Sequence, residues 1–439
     1  MGTGHAPHGG LLRSLSQGSV LTVNVRAVTV FLPLEWPLPA GALEPAAALA
    51  RAAKAVCAEE GLTLQTVRAA APPLNAVLKQ LPAARRGEEA LAYARALDTA
   101  AAEAGLDYVS AGPAVPDEPW NAHRPLFEAL PELVLATERL SCTAVVGDRA
   151  RGAVHLGAAA LAARAIHRIA HGPGSGFGNL RFAALACCPP GIPFFPAAYH
   201  DNGPPAFAIA VEAADLAVEA VSAAGTLQQA LERLTSTLTA MASRLEWLAA
   251  RIARRAGTSV RFLGVDLSPA PFPETARSIA CALERLGVAP FGVPGTLLAA
   301  ALLTAALRRA PVAKTGFSGL MLPVLEDAVL AQRAAEDTLS LSSLLLCSAV
   351  SGLGLDTVPL PGDISEAALT GIILDMAALA VRLDKPLTAR LFPVPGKRAG
   401  DEVRFDFSYF APSRVLAVHE PASTELVARG GEGWITVTP

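Results

Sequence analysis

The chain has 439 residues, of which 52% are hydrophobic and 17% charged, with a formal net charge of -3 at pH 7. So apolar a composition supports an extensive core and excludes a disordered chain, and the interspersed charges leave no basic stripe for nucleic acid. Six cysteines scattered without paired spacing form neither a disulfide framework nor a zinc signature.

Residues 1–18, rich in Gly, His and Ser, are expected to be a loose tail, with a single α/β domain over 19–439. The first strand is expected over 21–32, and Arg26 inside that apolar run argues against a cleavable signal peptide. Ala-rich stretches at 45–60 and 88–104 read as helices, each stopped by a glycine, Gly61 or Gly105, where a left-handed residue is needed. β-type runs are expected at 62–67, 106–110, 142–146, 180–186, 206–211, 260–265, 387–392 and 403–409. Strands separated by helices of this length predict right-handed crossovers and a largely parallel sheet.

His155, His167 and His171 fall on one Ala-rich helical stretch, and the last two stand at i and i+4 without a flanking acid motif for a metal. Cys187 and Cys188, adjacent on a strand, point to opposite faces and read as core residues. A long helix opens with Thr226 and Gln229 as a capping box and closes at Gly257. Its residues Leu227, Leu231, Leu234, Leu238, Met241, Leu245, Leu248 and Ile252 form a heptad seam. That seam needs a long partner, supplied within the subunit or, in a homo-oligomer, by a second copy.

Two apolar windows, 286–307 and 338–355, are about long enough to cross a bilayer. The first is broken by Gly287, Pro290, Gly292, Pro294 and Gly295, and the second by Ser340, Ser342, Ser343, Ser348, Ser351, Gly352 and Gly354. Buried parallel strands also read as unbroken apolar runs, so no membrane span is expected.

The candidate site residues are charged or polar groups at strand ends and turns. Asp266 follows an apolar strand, where an open α/β sheet or barrel exposes a catalytic edge, or where an acid caps a turn. Glu326 and Asp327 precede an apolar helix, so they serve either its dipole or a hard cation. Asp363 ends a Leu-Pro-Gly-Asp turn before a helix at 365–383, as an N-cap or a site acid. His200 sits among Pro193, Phe194, Phe195, Pro196 and Tyr199, as an acid–base group or a packed turn residue. Lys397 and Arg429 bring positive charge into glycine turns that can cradle an anion. No complete phosphate-binding loop or dinucleotide fingerprint is present in the sequence.

Val265-Asp266-Leu267-Ser268, Leu322-Pro323-Val324-Leu325-Glu326-Asp327, Leu355-Asp356, Leu360-Pro361-Gly362-Asp363 and Phe392-Pro393-Val394-Pro395-Gly396-Lys397 occur in that order. Together they resemble the DUF711 (UPF0210) family, whose fold is similar to that of pyruvate formate-lyase. The resemblance implies a ten-stranded α/β barrel of the glycyl radical enzyme type with loops inside. It does not extend to the radical: Arg429-Gly430-Gly431 is followed by Glu432, not by Gly-Tyr, and no tandem Cys finger loop is evident.

The resemblance implies a site role for Asp266, Glu326, Asp327 and Asp363, and proton transfer by His200. Cys142 matches a family cysteine, and Ser351 takes the place of a family thiol one helical turn after Cys347. Elsewhere this chain has Cys187-Cys188-Pro189-Pro190 where relatives are rich in Asn, Glu and Asp, and Pro294 where they have histidine. Such replacements make a pocket greasier. The expectation is a cytoplasmic, non-radical enzyme doing acid–base chemistry on a small molecule, with the acids orienting it or holding Mg²⁺ or Ca²⁺. Lys397, Arg429, Cys142 and Ser351 would then contact substrate. The alternative is a ligand-binding or assembly protein that has lost the family's active site.

Overall fold

The computed structural model describes residues 24–419 and 429–438. The tail expected over 1–18 lies outside the described residues, as do the first positions of the strand expected from Leu21. The strands are β1 (Asn24–Phe31), β2 (Thr63–Ala70), β3 (Tyr108–Ala114), β4 (Leu140–Asp148), β5 (Ala153–His155), β6 (Phe182–Ala186) and β7 (Ala206–Glu212). They continue with β8 (Arg261–Ala270), β9 (Gly354–Pro361), β10 (Leu387–Val394), β11 (Glu402–Val403), β12 (Ser413–Arg414) and β13 (Trp434–Thr436).

The main sheet runs in the order β8-β7-β1-β2-β3-β4-β6-β10-β9, with β5 and β13 attached beside β4. Pairing from β1 through β4 to β6 is parallel, each step crossing over through a helix, as the alternation predicts. Two antiparallel joints interrupt it, β7 with β1 and β6 with β10. The fold is therefore mixed α/β around a large, mostly parallel sheet. Among the described residues no ladder joins β8 to β9, so the hydrogen-bonded path is open where a closed ten-stranded ring was expected. One segment nevertheless touches both ends: Lys314 bridges Val265 in β8, and Pro323 bridges Asp356 in β9.

Helices Glu44–Glu59 and Arg86–Glu103 end near Gly61 and Gly105, whose φ values of 65° and 67° are the left-handed stops expected of them. The expected strand at 403–409 shrinks to the two-residue bridge of β11, because alternate Phe405, Phe407 and Tyr409 pack as a looped aromatic cluster. Conversely, β9 was not among the expected strands; its two prolines and Gly354 disguise it.

The helix Leu227–Ala256 is capped by Thr226, whose hydroxyl accepts the Gln229 N–H, and ends at left-handed Gly257. Its seam from Leu231 to Ile252 is buried, and it packs on helices Glu44–Glu59, Ala214–Ser222 and Thr296–Arg309 of the same chain. Leu227 departs from the expected seam, standing exposed at the first turn. Among the described residues no helix is long and apolar enough to cross a membrane.

Candidate functional site

A cavity with about 940 Å³ of empty space, mouth included, is lined from many elements at once. Arg26 comes from β1, Arg68 from β2, Tyr108 from β3, Ser141 from β4, Asp356 from β9 and Arg390 from β10. The segment that touches β8 and β9 adds Phe317, Met321 and Pro323, and Glu326 follows just after it. Phe194, Phe195, Phe407 and Tyr409 complete aromatic walls.

Local backbone irregularities aim the charged groups. The β1–β7 register slips at Arg26, and the β9–β10 register slips where Asp356 and Thr357 face Arg390. A bulge of this kind turns a side chain out of the ordinary alternation. Thr357 adopts φ 44°, a left-handed conformation that a β-branched residue holds at a cost of about 1–3 kcal/mol. Its hydroxyl accepts the Leu325 N–H at 3.3 Å, which ties the bulge to the turn carrying Glu326.

The carboxylates of this wall are paired. Arg390 Nε donates to Asp356 Oδ1 at 2.5 Å and its Nη2 to Glu326 Oε1 at 2.7 Å. Arg26 Nη2 donates to the other Glu326 oxygen at 2.8 Å, with its Nη1 on Gln65 at 3.0 Å and its face 4.6 Å from the Tyr409 ring centre. Behind it, Glu212 lies 4.0 Å from Arg26 and is bonded by Arg277. Burial opposes the charge on Arg390, but Asp356 and Glu326 outweigh it and hold the guanidinium pKa above its usual value. Burial, with Arg390 pulling the other way, pushes the Asp356 carboxyl up.

Arg68 and Arg181 are different. Arg68 is 8% exposed, and among the described residues its one side-chain hydrogen bond goes from Nε to Thr66 Oγ1 at 2.9 Å. Its guanidinium lies 5.6 Å from the Tyr108 ring centre and 5.1 Å from that of Phe195, leaving both terminal nitrogens without a hydrogen-bond partner among the described residues. Burial, then the like charge of Arg26, lowers its pKa to about 10. Arg181 donates to Thr137, Leu140 and Val134 at 3.2, 2.9 and 2.9 Å, a hydroxyl and two carbonyls, and has no carboxylate bridge among the described residues. Burial lowers its pKa as well.

Of the candidate catalytic and substrate-binding residues read from the sequence, Glu326 lines this cavity. The structure places the others elsewhere. Asp266 accepts from Ser268 N and Oγ, Phe317 N and Ser318 N at 2.7–3.0 Å, which clamps the turn that presents Phe317. That clamp needs a glycine: a Cβ on Gly316, at φ +66°, would lie 2.0 Å from Asp266 Oδ2. Asp327 caps helix Ala328–Ala335 through Val329 and Leu330, and also receives Ser278 Oγ and Ile279 N at the start of a second helix. Burial pushes both of these carboxyls up, and their donors pull against it.

His200 is buried off the cavity: its ring Nδ1 accepts the Asn202 N–H at 3.2 Å, and its backbone N–H is given to the Ala71 carbonyl at 2.9 Å. Burial lowers its pKa, against Pro204 and Asp201. Asp363, Lys397 and Arg429 are exposed, and Ser365, not Asp363, caps helix Glu366–Arg382. Cys142 is buried with Sγ 3.6 Å from the Leu130 carbonyl, and burial pushes its thiol up to about 12. Ser351 is buried, its Oγ without a partner among the described residues, and its carbonyl is one of three that accept from Lys385. No group of three or more His, Cys, Asp or Glu side chains is gathered for a metal among the described residues.

The family model described as Uncharacterised ACR (DUF711) matches residues 21–409. The chain belongs to the DUF711 family. A UPF0210 protein of Pyrobaculum arsenaticum is 36% identical to it over 367 residues, 82% of this chain and 80% of that protein. One from Methanopyrus kandleri is 34% identical over 78% of this chain and 77% of its own length. One from Desulforudis audaxviator is 32% identical, covering 85% and 83% respectively. The matched DUF711 region spans every cavity-lining residue, from Arg26 to Tyr409.

Arg26, Arg68, Arg181, Arg390 and Asp356 were not among the expected site residues. Their signal was available in the sequence, since Arg26, Arg68 and Arg390 are lone charges within or beside otherwise apolar strands. Such a charge has no place in a core unless something meets it.

Proposed function

We propose that this cavity binds a small molecule with an acidic head and an apolar, flat body. The observation that carries the reading is Arg68, a buried residue of the cavity lining whose terminal guanidinium nitrogens have no protein partner among the described residues. An unpaired buried charge is costly, and a bound anion would remove that cost by a forked pair of charge-assisted hydrogen bonds. Phe194, Phe195, Phe317 and Phe407 supply the apolar wall for the remainder of the ligand. The barrel-like closure of the DUF711 resemblance is part of this reading, supported by lining residues from opposite ends of the strand order and by the segment touching both end strands. So is a cytoplasmic setting, which six free thiols suit.

The test is thermal stabilisation of the purified protein by a panel of aromatic carboxylates and phosphate esters against neutral isosteres. Anions should stabilise, and Arg68→Met should abolish the effect. Equal stabilisation by neutral compounds, or full response in the variant, would sink the proposal.

Acid–base catalysis on the bound ligand is the second reading. It is favoured by Asp356, whose carboxyl burial pushes up and whose position depends on the strained Thr357. A ligand recovered unchanged after prolonged incubation with the protein would leave binding alone.

A further inference from the structure

Resting on the anion-binding reading, we propose that the ligand's head is a compact dianion of the phosphate monoester type, seated between Arg68 and Arg181. The argument is one of charge and its distribution. Four guanidiniums, Arg26, Arg68, Arg181 and Arg390, line the cavity against two carboxylates, Glu326 and Asp356. The lining itself thus carries an excess of two positive charges, and behind Arg26 the pair Arg277 and Glu212 is bonded together and cancels.

The excess is not spread evenly. Arg390 touches both lining carboxylates, and Arg26 touches one of them with Glu212 behind, so that side is neutralised by protein. Arg68 and Arg181 carry no carboxylate bridge among the described residues, and they stand at one corner: Arg68 lies over the Tyr108 ring at the start of β3, and Arg181 bonds the Leu140 carbonyl at the start of the neighbouring β4. Ser141, at the start of β4, lines the same cavity, and among the described residues its Oγ has a single, long hydrogen bond, of 3.4 Å to the Val109 carbonyl. Two unpaired charges in one corner match a doubly charged, tetrahedral head. A monoanionic carboxylate would leave one of them uncompensated.

Phenyl phosphate and phenyl sulfate separate the cases, because they share shape and differ by one charge above the second phosphate pKa of about 6. Isothermal titration of the intact protein at pH 8 should show phenyl phosphate binding roughly tenfold or more tighter than phenyl sulfate or benzoate. At pH 5 the phosphate becomes a monoanion and its advantage should vanish, with phenyl sulfate little changed. Arg68→Met should remove the advantage while leaving the urea midpoint of the free protein unchanged or higher. If phenyl sulfate and benzoate match phenyl phosphate at pH 8, the dianion is overturned and the anion pocket stands. If no anion binds better than benzyl alcohol, both readings fall.

Discussion

Two sets of buried ionisable groups lie within one chain, and they differ in what their hydrogen-bonding atoms do. Asp266 and Asp327 are fully enclosed, and four or more protein donors converge on each. Arg68 is nearly as buried and lines the cavity, but has a single side-chain hydrogen bond among the described residues, from Nε, with its forked end unspent. Burial and charge, which both sets share, therefore do not mark a functional group. Unspent charged donors on a cavity wall do, because a buried charge that nothing meets is far costlier than an unmet hydroxyl.

The strongest challenge to this contrast is to remove a spent acid. Asp327→Ala should cost about 3–5 kcal/mol, since it uncaps helix Ala328–Ala335 and strips Ser278 and Ile279 of their shared acceptor. Urea unfolding measures it, and a loss below about 1 kcal/mol would show that the clamp is not what it looks like.

Glu326 sits on the border between the two sets, and a change there should move stability and binding in opposite directions. Glu326→Gln removes one negative charge from between Arg26 and Arg390 while keeping the side chain's shape. The expected loss is about 1–3 kcal/mol of stability, because both guanidiniums lose a charged acceptor. Anion affinity should rise by several-fold, since the cavity becomes more positive. Weaker binding in this variant would mean that Glu326 contacts the ligand as an acceptor.

Arg68→Met sharpens the contrast from the other side. Replacing an unpaired buried charge by an apolar chain of similar length should leave the free protein between unchanged and about 2 kcal/mol more stable. A loss of 2 kcal/mol or more, read from the urea midpoint, would assign Arg68 to structure.

Sequence legibility follows the same division. The strand and helix alternation, the glycine stops and the Thr226 cap were readable because they are local, set by periodicity and by backbone conformations few residues adopt. The acids of the clamps were also visible, as polar residues at strand ends and helix starts, but their motif positions do not say whether their oxygens are spent. Asp266 and its partners Phe317 and Ser318 are separated by about fifty residues, so that answer exists only in three dimensions. The cavity was hidden for a further reason. Expectation placed the chemistry at C-terminal strand edges, whereas Arg26, Tyr108 and Ser141 stand near the beginnings of β1, β3 and β4. Two bulges, which no pattern in the sequence announces, aim Arg26 and the Asp356–Arg390 pair.

His200 supplies the smallest effect and the finest distinction. It belongs by geometry with the spent groups, since Nδ1 accepts from Asn202 and Nε2 lies 3.4 Å from the Pro204 carbonyl. His200→Gln should therefore leave anion affinity within about twofold, because no atom of this residue lines the cavity. Its trace should appear in the pH dependence of stability. Burial lowers the folded-state pKa below the ordinary 6.5, so the unfolded chain binds the proton more readily. The stabilisation is complete above that ordinary value and is lost as pH falls from it to the lowered one, with a slope of at most about 1.4 kcal/mol per pH unit. Urea midpoints between pH 7 and pH 5 should thus fall less steeply in the variant than in the parent. Parallel pH profiles, together with a collapse of anion binding, would transfer His200 from the clamps to the cavity.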